Sequence, residues 1–214
     1  MKKLFTRNTV NWCLGMIICT LGLCFSTKSN LGLSMIGACP YILHVRLSQT
    51  WAWFTQGTAE YVWEAIVLAV LCLAVRRFRP KYLLSFATAV LVGFMIDGWY
   101  LLLGGNGAYA TMPGRIAAFA AGMIVTACGV AFFFRTTLPQ EVYEMAVTEL
   151  ADRYHWSKDK TKFGFDVTML LTALALSFLL TGTLTGIGIG TVVMTLFNAP
   201  LIAFFGRLID RVER

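Results

Sequence analysis

The side chains able to do chemistry in this chain are carboxylates set inside apolar runs. Glu64 and Asp97 each interrupt a stretch long enough to cross a bilayer. An ionisable group there is costly, and it marks an ion path, a proton relay or a substrate contact. Each lies six residues from the outer end of its predicted helix, roughly 9 Å deep at 1.5 Å per residue. Two carboxylates at one depth on helices adjacent in sequence can coordinate a cation, share a proton or hold a basic group. Like charges that close raise one of the two pKa values. The structural alternative is a hydrogen-bonded pair, or contact with an Arg46 side chain reaching in from the outer segment.

Asn198 is a further candidate for that path, and Glu60, Glu141 and Asp166 are candidates for a gate or for structural roles. Glu60 stands one helical turn above Glu64 and is expected to meet interfacial water. Asn198 falls near the middle of the last apolar run, just before Ala199-Pro200. The proline frees backbone carbonyls there, and the asparagine can satisfy one or line a substrate path. Asp166 sits on the cytoplasmic side, as a helix cap, a gate or the ion-pair partner of Lys162, with the ion pair favoured. Glu141 follows Pro139 at a helix start, where the helix dipole favours a carboxylate. Capping is its first reading and a gate its second.

No nucleophile, base and oxyanion grouping is visible, so the chain is read as not an enzyme. His44 and His155 have no ligand spacing around them. The six cysteines form no C-x-x-C pair and mostly lie in apolar runs, as small buried hydrophobes do. No metal and no cofactor is expected.

The elements that must position these residues follow from composition. The 214 residues are 57% hydrophobic and 14% charged, and the mean hydropathy is +0.69. A soluble domain of this length needs more polar surface, so the chain is read as a polytopic membrane protein. The net charge of +7 could suggest nucleic acid as a partner. However, the basic residues cluster at helix ends, which is the mark of membrane orientation, so no nucleic acid partner is expected. The first apolar run follows Lys2, Lys3 and Arg7 like a signal peptide but has no small-residue cleavage pattern, and it is read as an uncleaved helix.

Six spans are predicted, at 9–26, 58–75, 82–103, 116–134, 163–180 and 187–205, each near the length that crosses about 30 Å of hydrocarbon. The stretch 31–54 is apolar but broken by Gly32, Gly37 and Pro40. If it dips in and returns, all but three of the Lys and Arg residues fall on one side. The exceptions are Lys28, Arg46 and Arg115. Cytoplasmic loops carry the basic excess, which favours this arrangement and puts both termini in the cytoplasm. The stretch 141–156 carries Glu141, Glu144, Glu149 and Asp152 and cannot span. Trp51, Trp53, Trp99 and Tyr100 make an outer aromatic belt, and Trp12, Tyr154 and Trp156 an inner one.

The expected fold is therefore all-α: six transmembrane helices as two inverted three-helix repeats, residues 1–104 and 114–214 of one integral membrane domain. Each repeat carries an inserted re-entrant or amphipathic segment. An odd number of spans per repeat inverts the second, and such folds place their site between the halves.

Short motifs stand in order along both halves. In the first they are Asn30-Leu31-Gly32-Leu33-Ser34, Pro40-Tyr41-Ile42-Leu43, Gly57-Thr58 and Gly93-Phe94-Met95-Ile96-Asp97. In the second they are Leu138-Pro139-Gln140-Glu141, Lys160-Thr161-Lys162, Phe165-Asp166 and Gly190-Thr191, followed by Pro200. With these the chain resembles the YczE/YitT-like group of uncharacterised bacterial integral membrane proteins, departing from the pattern at Ala199, where glycine is usual. The resemblance implies a fold and carries no biochemical role.

The expectation for function is a small-molecule or ion transporter or channel of the bacterial cytoplasmic (inner) membrane, with lipid and an unknown solute as partners. The rival is a non-transporting scaffold or accessory factor, or the capture subunit of a larger transporter. Either rival needs a membrane protein partner, and a homo-oligomer is compatible with all three.

Overall fold

A computed structural model describes residues 2–105 and 107–212. Arg214, counted above among the cytoplasmic basic residues, lies outside the described residues, as do the side chains of Lys2 and Lys3. The elements in order are α1 (Lys2–Ser29), α2 (Ala38–Leu47), α3 (Gln56–Val75), α4 (Lys81–Leu102), α5 (Met112–Phe133), α6 (Val142–Tyr154), α7 (Lys158–Thr181) and α8 (Ile189–Val212). No strand occurs among the described residues. Six helices are long and apolar enough to cross a membrane, namely α1, α3, α4, α5, α7 and α8. At ten residues, α2 is about 15 Å long, half the hydrocarbon thickness, and too short to cross by itself. The thirteen-residue α6 is amphipathic and does not span either.

Local chemistry sets the helix ends. The Thr55 hydroxyl accepts from the Thr58 amide at 3.0 Å to start α3. Thr111 does the same for Gly114 at 3.3 Å to start α5, which has proline in its first turn. Left-handed residues at Arg76, His155 and Gly182 end α3, α6 and α7. The predicted spans differ from these helices at their ends. The last was expected to stop at 205 and runs to Val212, because Pro200 does not break it.

The chain packs as two compact units, each drawing on both halves of the sequence. The first unit holds α1, the end of α4, α5 and α8. Its centre is the α1–α5 contact, where small residues let the two backbones approach. A Cβ on Gly122 would stand 2.6 Å from the Ser26 amide nitrogen, and one on Gly129 would stand 2.7 Å from Cys19 Cα. At the start of α8, the Gly190 amide donates to Leu31 O and the Leu33 amide to Gly186 O. Gly32 between them has φ +123, with Gly188 N only 2.9 Å from where a Cβ would be, so glycine is required there. At one end of this unit Arg135 ties α5 to α8, donating to Asp210 at 2.6 and 2.7 Å and to Gly206 O. The Thr136 hydroxyl donates to Asn8 O at the start of α1. The start of α1 and the end of α8 are therefore on one side. At the other end the buried Lys28 donates to Gly105 O at 2.6 Å, over the Tyr109 ring. Tyr100, expected in the outer belt, is buried instead.

The second unit holds α2, α3, the first part of α4, α6 and α7. The packed pairs within it are α2 with α3, α2 with α7, α3 with α6, and α6 with α7. Gly93 of α4 meets Gly57 of α3, whose carbonyl oxygen would be 2.6 Å from a Cβ. The buried Glu149 of α6 ties this unit to the loop after α3. It accepts from Arg79 at 3.1 Å and from the Tyr82 hydroxyl at 2.7 Å, and it pairs with Lys81. The Tyr154 hydroxyl donates to Ala74 O at 2.8 Å. The C-terminal part of α6 and the basic loop 76–81 therefore meet at the same end of α3.

Candidate functional site

The second unit gathers carboxylates around the meeting of α3 and the first turn of α6. Glu60 and Glu64 are four residues apart on one stripe of α3. That stripe faces α6 because Val67 and Leu71, continuing it, are also buried. Glu64 has no exposed surface. Its Oε2 accepts from the Val142 amide at 2.8 Å, satisfying one of the free N–H groups of the α6 start, where the helix dipole favours a negative charge. Its Oε1 is buried with no hydrogen-bond partner. Glu60 is also buried and accepts from the Tyr143 hydroxyl at 3.1 Å. The interfacial water expected for Glu60 is thus replaced by a protein partner, because α6 covers that stripe.

Glu141 occupies the N-cap position of α6 in extended backbone, φ −61 and ψ 164, but its side chain does not cap the helix; Glu64 takes the Val142 amide instead. Burial pushes the Glu141 carboxyl well above the usual range, and the charges of Glu144 and Glu60 push it the same way. Burial also raises Glu144, against the pull of the Lys162 charge, with Asp166 adding to the rise. The Tyr143 phenol is held well above its ordinary value by burial, then by the Glu60, Glu64 and Glu141 charges, and by the bond it donates to Glu60. On α7, Lys162 pairs with Asp166 at 2.8 Å, the ion pair favoured from the sequence. Lys162 also lies 5.9 Å over the Phe165 ring, which meets Tyr143 edge-on at 6.4 Å.

Of the residues singled out in the sequence, the structure brings together Glu60, Glu64 and Glu141, with Asp166 at the edge. Asp97 belongs to the first unit, where its charge reaches Cys24 of α1. Asn198 is in the same unit, on an unbroken α8, with its Oδ1 buried and unpartnered. Tyr143 and Glu144 were not singled out. The signal for Glu144 was its three-residue spacing from Glu141, which puts both on one face of α6; nothing in the sequence marked Tyr143.

Chemically, this is a water-poor place holding more carboxylates than it can hold negative charges. Such a cluster can take up and release protons, or accept a cation in exchange for one. Among the described residues no three His, Cys, Asp or Glu side chains are arranged to hold a metal ion.

The family model of DUF6198, a family of unknown function, matches residues 6–207, and the chain belongs to that family. No curated protein matches it. No solved structure matches it either.

Proposed function

We propose that this family member is a carrier of the bacterial cytoplasmic membrane, exchanging a small cation or cationic solute for protons at the Glu60–Glu64–Glu141 cluster. The observation that carries this is the Glu64 carboxylate, fully buried with one oxygen committed to α6 and the other unpartnered. A capping role uses one oxygen; the second is available to a proton or a cation. The site joins α3 of the first half to α6 of the second, which is where an inverted-repeat carrier keeps its site.

An internal repeat is supported by the packing of the second unit. Exchanging α2 for α6 and α3 for α7 leaves its set of packed pairs unchanged. A stacked aromatic pair also follows each short helix, Trp51–Trp53 in the loop after α2 and Tyr154–Trp156 at the end of α6. The likeness to the YczE/YitT-like group stands on the short motifs alone. The basic residues at the loop end of α3 favour a cytoplasmic side for that end, and those near the termini favour the same for both termini.

Purified protein in liposomes with an internal pH dye tests the proposal. An inward gradient of the transported cation, from a panel of alkali metal ions and primary and quaternary ammonium ions, drives proton efflux. Glu64→Gln abolishes the flux. A wild type that moves no protons with any of the panel, or a Glu64→Gln variant that moves them at the wild-type rate, overturns it.

A further inference from the structure

A groove of about 1010 Å³ runs between α3, α6 and α7 of the second unit, at the upper end of ligand-site volumes. Its walls are apolar: Ile66 and Val70 on α3, Leu150 on α6, and Phe165 and Met169 on α7. Ile66 and Val70 are 44% and 59% exposed, so the groove is open along the α3 side, and apolar side chains of a candidate span are what lipid would meet there. The groove extends along α3 from Trp63 to Ala74, and the eleven steps between them rise about 16 Å, one leaflet's depth of hydrocarbon.

The Ala74 end is different. His155, Ser157 and Lys160 line it, and the stacked Tyr154 and Trp156 stand beside it, 44% and 59% exposed, as aromatic side chains do at headgroup level. It is also the start of α7. There Ser157 does not cap the helix with its side chain, and Lys158 and Lys160 flank Asp159. Lysines at the positive end of a helix dipole add like charge there, and an anion is attracted to both.

We propose that this groove holds one acyl chain of an anionic phospholipid of the inner leaflet, with its phosphate at the start of α7 against Lys160. The charge at the mouth selects an anion, the walls select a chain, and the length matches one leaflet. The site does not depend on the carrier reading, since none of Glu60, Glu64 and Glu141 lines the groove.

Native mass spectrometry of the detergent-purified full chain, titrated with phosphatidylglycerol, phosphatidylcholine or inorganic phosphate, tests this. One lysine near a headgroup contributes about 1 kcal/mol, or about fivefold, so wild type prefers phosphatidylglycerol over phosphatidylcholine by at least that factor. Lys160→Gln cuts the preference about fivefold. Gly164 lines the groove and a side chain there meets open space, so Gly164→Trp fills the groove and removes bound phosphatidylglycerol while keeping both lysines. Equal binding of the two lipids, competition by inorganic phosphate as strong as by phosphatidylglycerol, or unimpaired lipid binding by Gly164→Trp each overturns the proposal. If Gly164→Trp does not fold, the wild type decides. Phosphatidylglycerol brominated along its chain quenches fluorescence that is lost in Trp63→Phe, and absence of that quenching overturns the assignment.

Discussion

Replacing Glu64 by glutamine and by alanine separates its two tasks, holding the start of α6 and carrying a charge. Glutamine keeps an oxygen that can accept from the Val142 amide, now 2.8 Å from Oε2, and it removes one charge from a place shared with Glu60, Glu141 and Glu144. The weaker neutral bond and the relieved repulsion act in opposite directions, so stability changes by less than about 1 kcal/mol. Alanine strands the Val142 amide, which costs about 1–3 kcal/mol. It also leaves an unfilled space where the buried side chain stood, which brings the total loss to about 2–4 kcal/mol. The assay is thermal unfolding in one detergent at one pH, alongside the liposome flux. The expected pattern is glutamine stable but inactive, and alanine destabilised and inactive. A glutamine variant as unstable as alanine would refute the reasoning, because the carboxylate's charge would then be a structural necessity.

Other expectations follow from the same geometry. Because the Glu141 carboxyl is raised on folding, the folded state binds more protons than the unfolded one above the ordinary value of 4.5, and stability falls as pH rises through that window. Glu141→Gln therefore unfolds at a higher temperature than wild type at pH 8, with the difference vanishing near pH 4.5; equal melting at both pH values counts against the buried cluster. Glu149 behaves oppositely. Burial alone would raise it, but the Lys81 and Tyr82 hydrogen bonds and the Lys81 and Arg79 charges outweigh that and hold it below 4.5. Its contribution is present above 4.5 and is lost as pH falls through the lowered value. Glu149→Ala costs about 1–2 kcal/mol near neutral pH, since partly exposed Arg79 and Lys81 regain water; an unchanged melting temperature would remove the tie from α6. Gly122→Ala forces the α1 and α5 backbones apart at Ser26 and Gly22 and costs about 1–3 kcal/mol or more, read by thermal unfolding against a neutral Ala substitution on the lipid face. Single cysteines at Arg76 and Arg207 react with an impermeant thiol reagent from the same side of the membrane, and labelling from opposite sides would undo the topology.

The fold was largely legible because hydropathy over eighteen or more residues is a strong signal, and because the Lys and Arg distribution favoured a stretch 31–54 that dips in and returns. The carboxylates of α3 were legible for the same reason, as charged residues in an apolar run. Their partner was not. Pairing Glu64 with Asp97 rested on depth along two sequence-adjacent helices, whereas the bond Glu64 makes runs to Val142, in the other half of the chain. Depth is a one-dimensional coordinate, and it does not say which face of a helix meets which neighbour. The capping of α6 was missed for a similar reason. A helix start looks for its acceptor in the preceding few residues, and Glu141 was the obvious donor of one, but the acceptor came from a distant helix.

That long reach bears on how the chain is made. Val142 lies 78 residues beyond Glu64, which at about 5–20 residues per second is roughly 4–16 s of translation. For that interval the nascent protein holds a carboxylate in its third helix before the amide that secures it has left the ribosome. The first half cannot settle by itself, since α1 waits for α5 and α3 for α6. Insertion must therefore proceed with loosely associated helices held near the translocon, and final consolidation is deferred until nearly the whole polypeptide has emerged.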